Sequence, residues 1–208
     1  MQRETAYDPV FDAQEHYRLL LDAMARPGTI NVLPRMSMSV PPALTGAAAL
    51  VGFALLNADV SFYADGESTD IVTRYLVVNT AARPESVDKA DFVFAAGTAS
   101  VALLTDMKKG TLPYPDEGAT LIASVDALAS EAQALGGKPH LALTLEGPGI
   151  RGRRTFFVSG LRSEIIAGLQ LCNLEFPLGI DLILTDPAHR IACIPRSSRV
   201  DWSINRSF

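Results

Sequence analysis

Leu141-Ala142-Leu143-Thr144-Leu145-Glu146 alternates leucines with small or polar side chains, the period of a β-strand with one buried face. Gly147-Pro148-Gly149-Ile150 follows, with Pro and Gly placed as a type II turn requires, and Thr155 to Val158 returns as a second strand, so the stretch reads as a hairpin. Downstream, Ile165, Ile166, Leu169 and Cys172 mark one face of a helix, and Ile180 to Thr185 and Ile191 to Ile194 read as two more strands. The same interleaving extends upstream. Ala13, Tyr17, Leu20, Leu21 and Met24 fall on one helical face, with Asp8 or Asp12 able to cap the helix and Pro27-Gly28 ending it. A short strand is expected at Thr29 to Leu33. A second helix is expected from Pro41-Pro42 to about Leu56. Val60 to Tyr63 reads as a strand, Asp65-Gly66 as a turn, and Ser68 as the cap of a helix containing Ile71, Val72, Tyr75 and Leu76. Asp91 to Ala96 and Ala119 to Val125 read as strands, Gly110 to Gly118 as a loop, and Ser130 to Lys138 as a helical turn plus loop. Helices alternating with strands point to an α/β class, a layered mixed sheet with flanking helices, and residues 1–208 are expected to form a single domain.

Length and composition agree. A chain of 208 residues buries enough surface to fold without disulfides or metal. Hydrophobic residues make up 48%, which excludes disorder for most of the chain and a fibrous protein; with the 15 Gly counted in place of the 5 Tyr the share is about 53%, slightly above the ordinary ~45–50%, which hints at an interface. The net charge of −5 is the wrong balance for binding nucleic acid by phosphate neutralisation. Two cysteines, Cys172 and Cys193, are too few for a secreted disulfide framework and suit buried, inert thiols. The N-terminus has no apolar stretch of signal-peptide type. The longest apolar run, Ala47 to Leu56, is about half a membrane span. A cytoplasmic location and no membrane partner are the expectation.

Most catalytic signatures are missing. Gly137-Lys138 is followed by Pro139 and has no glycine five residues before it, so it is no phosphate-binding P-loop. Gly147, Gly149 and Gly152 lie between strands with the wrong spacing for a dinucleotide fingerprint. His16, His140 and His189 share no ligand spacing with one another or with a cysteine, so no metal site is expected. There is no Gly-x-Ser-x-Gly elbow. The four lysines, Lys89, Lys108, Lys109 and Lys138, sit in polar contexts, unlike the desolvated lysine of a Schiff base, and no cofactor is expected.

The cations of interest are among the 14 arginines. Arg151, Arg153 and Arg154 follow the Gly-Pro-Gly turn, where guanidinium groups and accessible backbone N–H groups could hold an anion or an acidic partner, or simply face solvent. Arg18 stands four residues before Asp22, so a helical ion pair would account for it. Arg196 follows Pro195 at the end of a strand, a position where loops carry ligands. Asp181 opens a strand on the side of Ile183 and Thr185, and a buried carboxylate there would want a partner such as an arginine. No residue emerges as catalytic.

Phe176-Pro177-Leu178-Gly179-Ile180-Asp181-Leu182-Ile183-Leu184-Thr185, followed by Ile194-Pro195-Arg196-Ser197-Ser198, resembles the signature of the H component of the bacterial carbon–phosphorus lyase (phosphonate utilisation) system. Asp12-Ala13-Gln14, Tyr17-Arg18-Leu19-Leu20, Ala23-Met24-Ala25, Pro27-Gly28, Glu117-Gly118-Ala119-Thr120-Leu121 and Gly147-Pro148-Gly149-Ile150 are similar to the same family, in family order from about residue 12 to 198. Ser197-Ser198 stands where the family often has threonines. The resemblance implies a fold similar to the large domain of pyridoxal-phosphate-dependent transferases, without that cofactor. It implies a homodimer that joins the G, I and J components. It also implies a role, with the G, I and L components, in replacing the adenine of ATP by a phosphonate to give a ribose 1-phosphonate 5-triphosphate, on the way to phosphonate breakdown. The I and J components are credited with the nucleoside-cleaving and radical chemistry, which leaves this chain an accessory role. The rival expectation is a stand-alone enzyme or carrier that holds a phosphonate or nucleotide phosphate through its arginines. A third is an adaptor docked through the Arg151–Arg154 turn.

Overall fold

In chain order the elements are α1 (Phe11–Ala25), β1 (Asn31–Val32), α2 (Gly46–Leu55), β2 (Ser61–Ala64), α3 (Thr69–Thr80), β3 (Arg83–Pro84), β4 (Phe92–Ala96), α4 (Ala102–Asp106), β5 (Thr120–Ser124), β6 (Ala127–Ala129), β7 (His140–Glu146), β8 (Arg154–Ser159), α5 (Ser163–Cys172), β9 (Asp181–Thr185), β10 (Arg190–Ile194) and β11 (Arg199–Asn205). Single 3-10 turns occupy Pro115–Glu117 and Ala132–Leu135. The structure is a computed structural model and describes residues 3–66 and 68–205.

A seven-stranded mixed sheet, in the order β1-β10-β9-β5-β4-β2-β3, runs through the middle. Strands β3, β2, β4, β5 and β9 are parallel; β10 runs against β9 and β1 against β10. Parallel strands need both faces covered, so their sequences are continuously apolar rather than alternating. The run Leu182-Ile183-Leu184 of β9 meets that condition. Leu182 and Leu184 join one core with Leu121 and Ala123 of β5, Ala192 and Ile194 of β10, and α4 and α5. Ile183 points the other way, into a second core with Ile122, Ile191, Cys193 and the helices α1, α2 and α3.

A four-stranded antiparallel sheet, β11-β7-β8-β6, lies on the first of these cores. Only one of its faces is buried, and β7 accordingly alternates: Leu141, Leu143 and Leu145 face the core together with Phe156 and Val158 of β8. The hairpin expected from the sequence is therefore present. Its turn is fixed by Gly149, which has φ 78° and lies so close to Ala25 that a Cβ would strike the Ala25 carbonyl.

Two expectations need correction. The second helix starts at Gly46, not at Pro41-Pro42, because Thr45 takes the N-cap position and its hydroxyl accepts the Ala48 N–H at 3.1 Å. The buried face of α1 is His16, Leu20 and Ala23. Tyr17 and Leu21, expected inside, are 49% and 56% exposed. The helix carries apolar residues on two faces, and hydropathy alone does not say which one meets the core. The short helix α4 and the strands β3, β6 and β11 were not foreseen from periodicity.

The turn from β9 to β10 is organised by Asp186, which is fully buried. One carboxylate oxygen accepts the N–H groups of Ala188 (2.9 Å) and Arg190 (3.0 Å). The other accepts Arg190 Nε (2.7 Å) and the Leu128 N–H (2.9 Å), which ties the large sheet to β6 of the small one. Asp186→Ala leaves a guanidinium and three amides without their acceptor. We expect it to cost about 3 kcal/mol of unfolding free energy in urea titrations, with Asp186→Asn costing less.

Candidate functional site

Asp181 and Arg196, separate in sequence, meet in space. In the β9–β10 hairpin Leu182 pairs with Ile194, so Asp181 lies beside the residues that follow β10. Its Oδ1 accepts the Arg196 backbone N–H (2.7 Å), and its Oδ2 accepts Arg196 Nε (3.1 Å) and Nη2 (2.6 Å). The guanidinium continues outward. Nη1 donates to the Pro115 carbonyl (2.7 Å) and Nη2 to the Gly118 carbonyl (3.1 Å). The side chains are 21% and 14% exposed, so the pair is well desolvated. Gly118 is glycine because a Cβ there would collide with this guanidinium and with the Gly179 carbonyl.

The residues before Asp181 belong to the same brace. The Asn173 side chain, just past α5, grips Ile180: Oδ1 accepts its N–H (2.7 Å) and Nδ2 donates to its carbonyl (3.1 Å). A Cβ at Gly179 would strike Asn173 Oδ1. Gln170 of α5 donates to the Val200 carbonyl of β11. These ties leave a groove of about 640 Å³ between the C-terminal half of α5 and the β10–β11 turn, with Arg196, Ser197, Ser198 and Arg199 on one side and Leu174 and Phe176 on the other. Ser198 is buried and its hydroxyl has no hydrogen-bond partner among the described residues. Leu174 and Phe176 are 73% and 63% exposed at the rim, and Leu171, in the last turn of α5, is 69% exposed. The groove can hold a partner segment or a small molecule with a mixed surface.

The hairpin arginines do not gather into an anion site. Arg154 donates to Thr29 Oγ1 and to the Arg26 carbonyl, finishing the end of α1. Arg153 pairs with Glu146 and, at 3.2 Å, with Asp201. Arg151 is exposed with no ion pair among the described residues. Arg18 is also exposed, and its expected partner is engaged elsewhere: Asp22 pairs with Arg26 and accepts Asn31 Nδ2 at 2.9 Å. Lys108 pairs with Asp91, Lys109 donates to the Thr105 carbonyl (2.8 Å), and Lys89 and Lys138 are exposed, so no lysine is buried. No group of three or more metal-ligating side chains occurs among the described residues.

Sequence reasoning missed Asn173, Asp186 and His16. Asp186-Pro187 at a strand end was the available signal for the second of these. His16 is buried, stacked on Tyr7 at 5.7 Å, and neither ring nitrogen has a hydrogen-bond partner among the described residues. Burial pulls its imidazole below the ordinary 6.5, with Asp12, Glu15 and the Pro34 backbone acting in the opposite direction and His189 in the same one. His189 is lowered too, by burial first and then by Arg35, against Asp186. Burial raises both cysteine thiols, and Cys193 is fully enclosed, so both are poor nucleophiles.

The family model for the bacterial phosphonate metabolism protein PhnH matches residues 5–201. One curated relative is the alpha-D-ribose 1-methylphosphonate 5-triphosphate synthase subunit PhnH of Rhizobium meliloti (strain 1021). It is 32% identical over 198 residues, covering 93% of this chain and 92% of the relative. Another, from Stutzerimonas stutzeri, bears the name "Putative C-P lyase subunit protein HtxG". It is 35% identical over 119 residues, covering 57% of this chain and 55% of the relative.

The brace and the enclosed imidazole can both be measured. Arg196→Ala strips three acceptors of their donor, and we expect about 3 kcal/mol of lost stability by chemical denaturation, with Arg196→Lys recovering only part. Intact stability would show that the arginine is not a brace. For the histidines the unfolded chain takes up protons near pH 6.5 while the folded chain resists them. Stability should therefore fall as the pH drops below about 6.5, towards the depressed folded-state values. His16→Leu should flatten that slope in melting curves recorded against pH.

Proposed function

The chain belongs to the PhnH family, and on that footing we propose that it is the H component of a carbon–phosphorus lyase system, acting in organophosphonate catabolism. In this reading it supports formation of a ribose 1-phosphonate 5-triphosphate from ATP and a phosphonate, together with the G, I and L components, and takes its place in a core complex with G, I and J. The observation that carries the proposal is the near full-length match to a named subunit of ribose 1-methylphosphonate 5-triphosphate synthase.

The accessory role is supported by where the candidate residues are engaged. Asp181, Arg196, Arg153 and Arg154 bind other parts of the same chain, and what the motif builds is a wall. The assembly is supported by apolar surface in two separate places. Tyr17, Leu21 and Val32 are exposed along α1 and the edge strand β1, Leu174 and Phe176 at the rim of the groove, and Leu171 at the end of α5. One patch suits a second copy of the chain in a homodimer and the other a sibling component. We also infer kinship with the large domain of pyridoxal-phosphate-dependent transferases, without the cofactor. A seven-stranded, mainly parallel sheet with β10 antiparallel, and four lysines none of which is buried, support this. The cytoplasm is the proposed compartment; no helix among the described residues is long and apolar enough to cross a membrane.

Mixed with the G, I and J components, the pure chain should co-elute on a sizing column. Separate peaks under native conditions would sink the proposal. The double variant Leu174→Asp, Phe176→Asp should keep its unfolding free energy within about 0.5 kcal/mol, since both side chains are exposed. It should nonetheless weaken either self-association or co-elution.

A further inference from the structure

The carboxyl ends of parallel strands are where an open α/β sheet keeps its ligands. Here the ends of β2, β4 and β5 open on a cavity of about 350 Å³ that is separate from the groove and its arginines. Its apolar side is Phe94 from β4, Val72 from α3 and Leu44 from the approach to α2, all largely buried. Its polar groups are Asp65, directly after β2; Ser68, at the head of α3, where its side chain makes no capping bond; and Ser124, the last residue of β5.

Ser124 carries spare hydrogen-bonding capacity. Its hydroxyl lies 3.4 Å from Thr45 Oγ1 and 3.5 Å from Thr185 Oγ1, and those two are 3.5 Å from each other. Such separations are at the outer limit of an O–H···O contact, well beyond the usual ~2.7–2.8 Å. Three hydroxyls held loosely together at the start of α2 leave one free to turn towards a ligand.

The charge of the cavity selects the ligand. Among the described residues no lysine or arginine lines it, and Asp65, itself exposed, is the acid that does. A free phosphate or phosphonate would be repelled. A carboxylate accepts well from paired hydroxyls, and in dinucleotide-binding sheets an acid in the first βαβ unit accepts from the ribose. Phe94, Val72 and Leu44 offer an apolar wall for a ring. We propose that this cavity binds the ribosyl end of a nucleoside or nucleotide, with Asp65 accepting from the sugar diol, Ser124 and Ser68 meeting its remaining polar atoms, and any phosphates left outside. The proposal deepens the functional reading above and rests on it for the ribose, which the name of the Rhizobium relative supplies.

Titration calorimetry of the full chain with adenosine, and separately with methylphosphonate and inorganic phosphate, tests it. Adenosine should bind in the millimolar range or tighter. Asp65→Asn should weaken it at least tenfold, about the effect of losing one charge-assisted hydrogen bond. Ser124→Ala should weaken it less, and Lys138→Gln, outside the cavity, should leave it unchanged. Circular dichroism checks that each variant is folded. Absence of adenosine binding at millimolar concentration, binding that Asp65→Asn leaves intact, or binding of the free anions alone would each overturn the proposal. The sizing experiment separates the two readings: a chain that joins its siblings but ignores adenosine keeps the assignment to the lyase system and loses this site, and one that binds adenosine but elutes alone does the reverse.

Discussion

Asp181 holds in register three parts of the chain that would otherwise meet only by packing. It begins the central strand β9, it receives the backbone and side chain of Arg196 past the end of β10, and through that guanidinium it secures the Pro115 and Gly118 carbonyls of the loop entering β5. The planar fork of arginine makes this possible, because its donors diverge at fixed angles and can serve a carboxylate and two carbonyls at once. The consequence reaches the site. The β10–β11 turn that forms one side of the groove follows directly from Arg196, and the opposite side is set by Asn173 clamping Ile180 one residue before Asp181.

The same arrangement limits what the groove can do. A guanidinium whose donors are directed at Asp181 and two backbone carbonyls has little left for an external phosphate. Two of the three hairpin arginines are occupied in the same way, Arg154 at the end of α1 and Arg153 by two carboxylates, which leaves Arg151 on the exposed turn. The net charge of −5 adds no long-range attraction for polyanions. If a triphosphate is handled here, its charge is best met by groups outside this chain, and the neutral sugar is the part that the cavity at the strand ends can recognise.

How much of this was legible in the sequence depended on the length and one-sidedness of each element. The hairpin of β7 and β8 was plain because a half-buried strand alternates, and α5 because Ile165, Ile166 and Leu169 all enter one core. β9 was recognisable as a continuous apolar run between glycine- and proline-containing turns. The short α4 and β6 gave too few periods to register, and β11 begins only a few residues after β10 ends. The need of Asp181 for an arginine was visible; that Arg196 supplies it was not, because the pairing is set by hairpin register. The ion pair expected between Arg18 and Asp22 failed because Asn31 and Arg26 compete for the same carboxylate.

The misreading of α1 carries the most information. Tyr17 and Leu21 are apolar at helical spacing, as core residues would be, yet they face outward while His16, a polar residue, is enclosed. A chain folded only for its own stability gains nothing from large apolar side chains in water, nor from enclosing an imidazole whose nitrogens find no hydrogen-bond partner among the described residues. The surplus of apolar residues is therefore not excess core. Part of it lies on α1 and β1 and part beside the motif-built groove, on opposite sides of the seven-stranded sheet, while others such as Leu112 and Tyr114 are exposed outside both. Two such faces suit a component that is covered from both sides. If the groove is one of the docking faces proposed above, the brace around Asp181 has a second use: it makes that face rigid before association, so that less conformational freedom is lost.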